Sequence, residues 1–518
     1  MQPLPTIDIA VLAVYLAAVV GLGIWFARSN RSAKDFMAAG GSLPGWAVGL
    51  SIFGTYLSSN TFIGVPGKAY GDNWNGFVFS LSLPLAAWVA VKWFVPFYRK
   101  SGEISAYHHL EKRFGPWART YALVCYLLTQ LARVGTILFG VSLGLSALTG
   151  WSLPVVIIVS GIAVTAYTLF GGILAVIWTD VIQSIVLLIG AVAIAVMLLV
   201  NHPEGAAGAF QTASEADKFS LGSFSIDFTQ STFWVVLIYG IFINLNNFGI
   251  DQSFVQRYHT ARDDQAAARS VWTGALLYVP VAALFFFIGS MLFSFYEAKP
   301  NLREQVQTQA AKAALIDKGK EVTSGTLKNT IAKQKHKDYG DKILPHFIAT
   351  QLPTGVAGLL MAAIFAAAMS SIDTSLNSSA TVTLKDFTQR YLKRGEDEEG
   401  ALKILRRATL VWGMLGTGVA LAMIGQKSLL DSWWKLSGIF AGGMLGLFLL
   451  GLISRKADNA GALTGVILGV LVICWMTFAD YFPEELRSPF HAHMIIVVGT
   501  LTIFLTGIGI SHLRSSGR

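Results

Sequence analysis

Hydroxyls, amides and carboxylates recur inside stretches of this chain that are otherwise apolar enough to sit in oil. One is FGTYLSSNTFIG, Phe53 to Gly64, where Gly54, Tyr56, Ser58 and Thr61 interrupt a hydrophobic run. Another is INLNNFGIDQSF, Ile243 to Phe254, with Asn244, Asn246, Asn247 and Gly249. A third is AAAMSSIDTSLNS, Ala366 to Ser378. Polar groups in a membrane span are costly, so they face a cavity or another helix and mark a path or a site. Glycine and hydroxyls in mid-span let a helix unwind and turn freed carbonyls toward a cation. Taken singly, such a stretch is explained as well by hydroxyls bonding back to their own helix, with Gly as a packing surface. Two interruptions five spans apart favour paired broken helices around a binding site.

The third stretch supplies side-chain oxygens at helical spacing. Ala367, Ser370 and Ser371 share one face, and Ser370, Asp373 and Thr374 share an adjoining one, so two oxygen clusters stack about one turn apart. Hard cations take oxygen ligands, and a set without thiolate or imidazole fits an alkali ion rather than zinc or iron. Asp180, in GGILAVIWTDVIQ, is a second intramembrane acid. It either caps a helix after the Gly171–Gly172 turn or meets Asp373. Arg133, in QLARVGTIL, cannot shed its proton. It therefore pairs with Asp180 or Asp373, or clamps the carboxylate of a substrate.

The elements that must position these groups are membrane helices. The 518 residues are 53% hydrophobic and 13% charged, with a mean hydropathy of +0.56, which excludes an ordinary soluble domain. The reading is an all-α multi-span membrane protein, since each long apolar run can cross the bilayer and none alternates as a barrel strand does. About thirteen helices are expected, near 6–26, 44–68, 75–97, 118–148, 152–171, 174–200, 230–256, 267–295, 346–384, 403–425, 430–453, 459–480 and 490–511. The first is expected to be retained, because it lacks a basic flank and a cleavage site. Basic connections, including Lys34, Arg99, Lys100, Arg257, Arg262, Lys385, Arg390, Arg455, Lys456 and Arg514, fall on one side if the N-terminus is outside and the C-terminus inside. The polar stretch 297–345, with Lys312, Lys328 and Lys337 among its basic residues, is then a long extracellular loop, either simply solvated with some helix or a funnel for an anion.

Several functions are excluded. Cys125 and Cys474 both lie in apolar runs and form no thiolate cluster, and the nine histidines sit at span ends or in loops. No nucleophile–base pair or metal-ligand set can be assembled, so the chain is not expected to be an enzyme. The net charge of +9 is explained by anchoring to anionic lipid and requires no nucleic acid. The expected partners are the lipid bilayer and a small organic solute, with no obligatory protein partner.

Four blocks carry a resemblance. LPGWAVGLSIFGTYLSSNTFIGVPGKAY (Leu43 to Tyr70), GGILAVIWTDVIQ, FVQRY and AAIFAAAMSSIDTSLNS together resemble the sodium/solute symporter family, in order and over nearly the whole chain. Within it the chain is most similar to bacterial sodium-coupled sialic acid transporters. The resemblance implies a leucine-transporter-like fold of five-plus-five inverted repeats, residues 44–200 and 230–453, with one extra helix before and two after. It implies one or two sodium ions. The first would be held by carbonyls of Gly54, Leu57 and Ala367 and hydroxyls of Ser370 and Ser371, the second by Asp180, Ser370, Asp373 and Thr374. Substrate contacts would fall to Tyr56, Ser58, Thr61, Ser80, Arg133 and Asn247. The chain departs from that subgroup at Asp373, where a Ser is expected, at Tyr56, where a small hydroxyl residue is expected, and at Ser80, where a Gln is expected. The implied activity is sodium-coupled import of a carboxylated sugar. A neutral sugar, a monocarboxylate or an amino acid as substrate, coupling to protons, and a sensor that does not transport all remain open at this point.

Overall fold

The computed structural model describes residues 5–27, 32–58, 60–317, 320–425 and 429–516, and among them no strand occurs. Ser59, within the first interrupted stretch, lies outside the described residues. Eight of the described helices are long and apolar enough to cross a membrane, and three shorter apolar helices accompany them. In lipid, helices satisfy their own backbone polar groups, which is why runs of this hydropathy fold as they do.

The helices that matter for the site are α1 (Thr6–Ala27), α2 (Gly45–Tyr56), α3 (Val65–Gly71), α4 (Trp74–Ser101), α5 (Pro116–Thr149), α6 (Leu153–Val200), α7 (Phe233–Ile250), α8 (Gln252–Thr260), α9 (Asp264–Glu297), α10 (Val356–Val382), α11 (Glu398–Ala422) and α12 (Leu429–Ile453). Two further helices, α13 (Asn459–Thr477) and α14 (Met494–Ser516), pack on each other and close the chain. α10 lies at the centre, packed against α1, α5, α6 and α11 and buried over almost its whole length. Its Ala and Ser content allows this, because small side chains let neighbouring helices approach closely.

The fifth and sixth spans are two helices, as expected, meeting within α6 where Gly172 leaves the helical region (φ 57°, ψ −174°). Two expected boundaries are corrected. The ninth span begins at Val356 rather than near residue 346, because Pro353 and Gly355 (φ 92°) separate it from the helix Gly340–Gln351. That shorter helix buries Ile343, Leu344 and Phe347 and packs against α3. The seventh span stays helical through Asn244, Asn246, Asn247 and Gly249 and breaks at Asp251 (φ −73°, ψ 118°). Asp251 then caps α8 by accepting the Ser253 amide at 2.8 Å, the usual way an Asp starts a helix.

The two broken helices touch. The Leu43 amide donates to the Thr260 carbonyl and the Arg262 amide to the Leu43 carbonyl, both at 3.0 Å, tying the start of α2 to the end of α8. The polar stretch after α9 carries the helices Pro300–Asp317 and Ser324–Lys333, in keeping with the helix expected there.

The kink at Gly172 sits in a backbone region that side chains with a Cβ avoid, at a cost of about 1–3 kcal/mol. Gly172→Ala is therefore expected to lower the unfolding temperature of the detergent-purified protein, read by thiol-reactive dye fluorescence, without removing secondary structure by circular dichroism.

Candidate functional site

α2 ends at Tyr56, Leu57 leaves the helical region (φ −89°, ψ 111°), and the chain re-enters helix through a wide turn at Asn60–Gly64. The Thr61 and Phe62 amides both bond to the Ser58 carbonyl at 2.9 Å. The unwound residues thereby present carbonyls and hydroxyls together in the middle of the protein.

Two polar clusters flank this segment. The first is a cavity of about 90 Å³ for water-sized molecules, enough for several waters. All six residues proposed for substrate contact, Tyr56, Ser58, Thr61, Ser80, Arg133 and Asn247, line it. The Tyr56 hydroxyl donates to Asn244 Oδ1 at 3.0 Å, and the Asn244 amide donates to Ser82 Oγ at 2.9 Å. The Tyr56 ring packs at a tilt against Phe254 and Tyr278, giving the cavity an aromatic wall. Arg133 pairs with neither Asp180 nor Asp373. Its NH2 lies 3.6 Å from Asp251 Oδ2, the carboxylate that caps α8 and also accepts from Gln130 at 3.3 Å. Asp251 lay inside the quoted INLNNFGIDQSF stretch, and its spacing of two before Ser253 is the signal of a helix start that could have identified it.

The second cluster surrounds α10. Three of its hydroxyls bond back to their own helix: Ser375 to the Ser371 carbonyl, Ser378 to Thr374 and Thr381 to Asn377, at 2.7–2.9 Å. Ser370 and Ser371 do otherwise. Ser370 donates to Asp180 Oδ1 at 2.6 Å, and Ser371 donates to the Leu57 carbonyl at 3.3 Å. A Cβ on Gly54 would fall 2.9 Å from Ser370 Oγ and 3.1 Å from Ser184 Oγ, so only glycine lets α2 approach this closely. Gly54, Leu57, Ser370 and Ser371 are thus gathered in one place, while Ala367 lies one turn before Ser371 on α10. The Gly54 carbonyl now accepts the Leu57 amide at 3.1 Å.

Asp180, fully buried, meets a guanidinium instead of a second acid. Arg257, expected in a basic cytoplasmic connection, is also fully buried. Its NH2 donates to Asp180 Oδ2 at 3.0 Å and to Thr374 Oγ1 at 2.7 Å, its Nε to Ser51 Oγ at 2.8 Å and its NH1 to the Ser253 carbonyl at 2.8 Å. Ser51 in turn donates to Asp180. The span was read as ending before residue 257, whereas α8 carries Arg257 back into the protein. The FVQRY block held this residue, but nothing in its spacing marks it as Asp180's partner. Asp373, grouped with Asp180 at the sequence level, has its Oδ1 on the Thr374 amide at 2.6 Å and interacts with Tyr15 on α1. Among the described residues no group of three or more His, Cys, Asp or Glu is placed to hold a metal ion. The oxygens at Leu57, Ser370 and Ser371 are hydroxyls and carbonyls, the donors an alkali cation takes.

A helical membrane protein with two broken helices meeting at a buried polar cavity has the architecture of a secondary transporter. Residues 36–469 match the sodium:solute symporter family, and the chain belongs to it. It is 34% identical to the sodium/sialic acid symporter NanT of Aliivibrio fischeri and 33% identical to SiaT of Proteus mirabilis, in each case over 97% of this chain and 94% of the relative. Among solved structures it is similar to a substrate-bound, outward-open Na+-coupled sialic acid symporter described as having a novel Na+ site. There the TM-score is 0.85 and the identity 31%, over 98% of both chains.

Removing one member of a buried ion pair strands the other at a cost of about 3–5 kcal/mol, while replacing both by apolar groups is far milder. Asp180→Leu and Arg257→Met are each expected to lower the unfolding temperature sharply, and the Asp180→Leu/Arg257→Met double variant to recover most of the loss. A double-variant cycle on detergent-purified protein measures this.

Proposed function

We propose that this protein is a sodium-coupled symporter that imports a carboxylated sugar, a sialic acid such as N-acetylneuraminate, across the cell's inner membrane. The observation that carries the proposal is the sharing of one unwound segment. The Leu57 carbonyl accepts from Ser371 of α10, while its neighbours Tyr56 and Ser58 line the cavity. An ion held at Gly54, Leu57, Ala367, Ser370 and Ser371 fixes the same backbone that shapes the substrate site. Each ligand then binds better when the other is present, and that reciprocity is what coupling requires.

The substrate sits between Tyr56, Ser58 and Thr61 on the broken helix, Ser80 on α4, Asn247 on α7 and Arg133 on α5. The Arg133 guanidinium takes the substrate carboxylate, for which its planar fork is suited. A second sodium ion is held by Asp180, Ser370, Asp373 and Thr374, with the Arg257 guanidinium already occupying that neighbourhood. About thirteen spans follow from the apolar runs, and an outside N-terminus and an inside C-terminus from the basic connections. The inverted repeats are residues 44–200 and 230–453, and the helical stretch 297–345 lies outside. The relatives that transport sialic acid with sodium support the substrate reading.

Calorimetry on purified protein tests this directly. N-acetylneuraminate is expected to bind in sodium and not in potassium, with glucose and pyruvate giving no heat. A sodium-dependent response to glucose or pyruvate alone would keep the symporter and discard the sialic acid. Arg133→Lys is expected to weaken N-acetylneuraminate at least tenfold, about 1.4 kcal/mol, with little change in unfolding temperature. Gly54→Ala is expected to raise the sodium concentration needed for half-maximal binding.

A further inference from the structure

A groove of about 520 Å³ opens between the start of α2 and the start of α9, beside the connection that carries Arg262. The two helices are in close contact there. A Cβ on Gly45 would fall 2.6 Å from the Ala266 carbonyl oxygen, and one on Gly49 would fall 2.7 Å from Thr273 Cβ, so glycine on α2 lets α9 come this near. Trp46, Trp272, Arg262 and Arg269 line the groove. Trp46 is 53% exposed and meets Trp178 of α6 edge to face, with ring centroids 5.8 Å apart. Tryptophans from three helices therefore gather here, and tryptophan is the residue that membrane proteins concentrate at the level of the lipid headgroups.

On α9, Arg269, Trp272, Thr273 and Leu276 recur at helical spacing and share one face. Along that face the chemistry passes from a guanidinium through an indole to an aliphatic side chain, Leu276, that is 54% exposed. A phospholipid has the same order, from charged headgroup to acyl chain. The groove's charged residues, Arg262, Asp263 and Arg269, leave one positive charge unbalanced. Asp263 accepts the Ala266 amide at 2.6 Å as the cap of α9 and pairs with Arg262 at 3.2 Å. Both side chains of that pair are more than half exposed, so it holds the guanidinium weakly. Neighbouring Asp264 is neutralised separately by Arg99 at 2.7 Å. Arg269 is exposed. Two guanidiniums with one carboxylate between them are balanced by one phosphodiester, whose oxygens arginine bonds in a planar fork.

We infer that this groove binds one anionic phospholipid, with its phosphate on Arg262 and Arg269, its glycerol level with Trp46 and Trp272, and an acyl chain along Leu276. Basic pockets between membrane helices take anionic headgroups in this way. A zwitterionic lipid would bring its own cation up to the guanidiniums, and a free phosphate would leave the indoles and Leu276 uncovered. The groove lies at the foot of α2, where Leu43 bonds to Thr260 and Arg262 at the end of α8. A lipid seated there bears on the junction that ties the two broken helices together. The inference stands whatever solute the central cavity takes.

The test is native mass spectrometry of the full-length protein, released from detergent containing equimolar phosphatidylglycerol and phosphatidylcholine. The unaltered chain is compared with the Arg262→Gln/Arg269→Gln variant and with Arg394→Gln/Arg407→Gln, which removes the same charge elsewhere. All four arginines are exposed. The unfolding temperature without lipid reports folding, and Arg269→Gln alone carries the test if the groove double variant fails to fold. The expected result is one phosphatidylglycerol retained in preference to phosphatidylcholine, bound at least tenfold more weakly by the groove variant and unchanged in the control variant. Leu276→Gln is expected to weaken it as well, as contact with an acyl chain requires. Equal retention of the two lipids overturns the inference, as does unchanged affinity in a folded groove variant or an equal loss in the control. Displacement of the lipid by excess inorganic phosphate would make the groove a site for a free anion and overturn it too.

Discussion

The Arg257–Asp180 pair is the constraint around which the site is organised. A charge in the membrane interior is tolerated only with a partner and with its remaining hydrogen bonds filled. Arg257 meets both conditions by reaching Asp180 on α6, Thr374 on α10, Ser51 on α2 and the Ser253 carbonyl on its own helix. Four helices are thereby fixed relative to one another at a single guanidinium. The planar fork of arginine suits this, since its donors point in set directions where a lysine would offer one point charge. The close approach of α2, which requires Gly54, and the break after Tyr56 both lie one turn or two from this contact.

From that anchor the division of labour along α10 follows. Ser375, Ser378 and Thr381 spend their hydroxyls on their own helix, and such residues carry no site chemistry. Ser370 and Ser371 face the break in α2 and the buried acid, so their hydroxyls go to other helices. The same residue types therefore have opposite roles within a few positions, decided by what packs opposite. Gln256, next to Arg257, adds a second tie from α8 to α10 through Asn377 at 3.0 Å.

The cavity and the ion ligands are not independent sites that happen to be adjacent. Ser371 both lines the cavity and bonds to Leu57. Asp251 caps α8 and also pairs with Arg133, so the residue proposed to take the substrate carboxylate is tethered to the second broken helix. Movement of either broken helix would alter substrate and ion contacts together, which gives the coupling of a symporter a physical basis.

Residue type and period were enough to determine the membrane class, the helical fold and the polar interruptions. Costly groups in apolar runs are visible without coordinates, and the six residues expected to contact substrate do line one cavity. Three things required the tertiary structure. The partner of Arg133 is Asp251 and the partner of Asp180 is Arg257, because pairing depends on which helix faces which, and α8 folds back into the protein where a basic loop was expected. The second break falls at Asp251 rather than among the asparagines, which stay helical while Asn244 and Asn247 reach Tyr56 and Ser82. Asp373 Oδ1 accepts the Thr374 amide while Ser370 donates to Asp180, a difference that spacing along one helix face does not state. Local sequence sets what a segment can bind; the packing of distant helices decides what it meets.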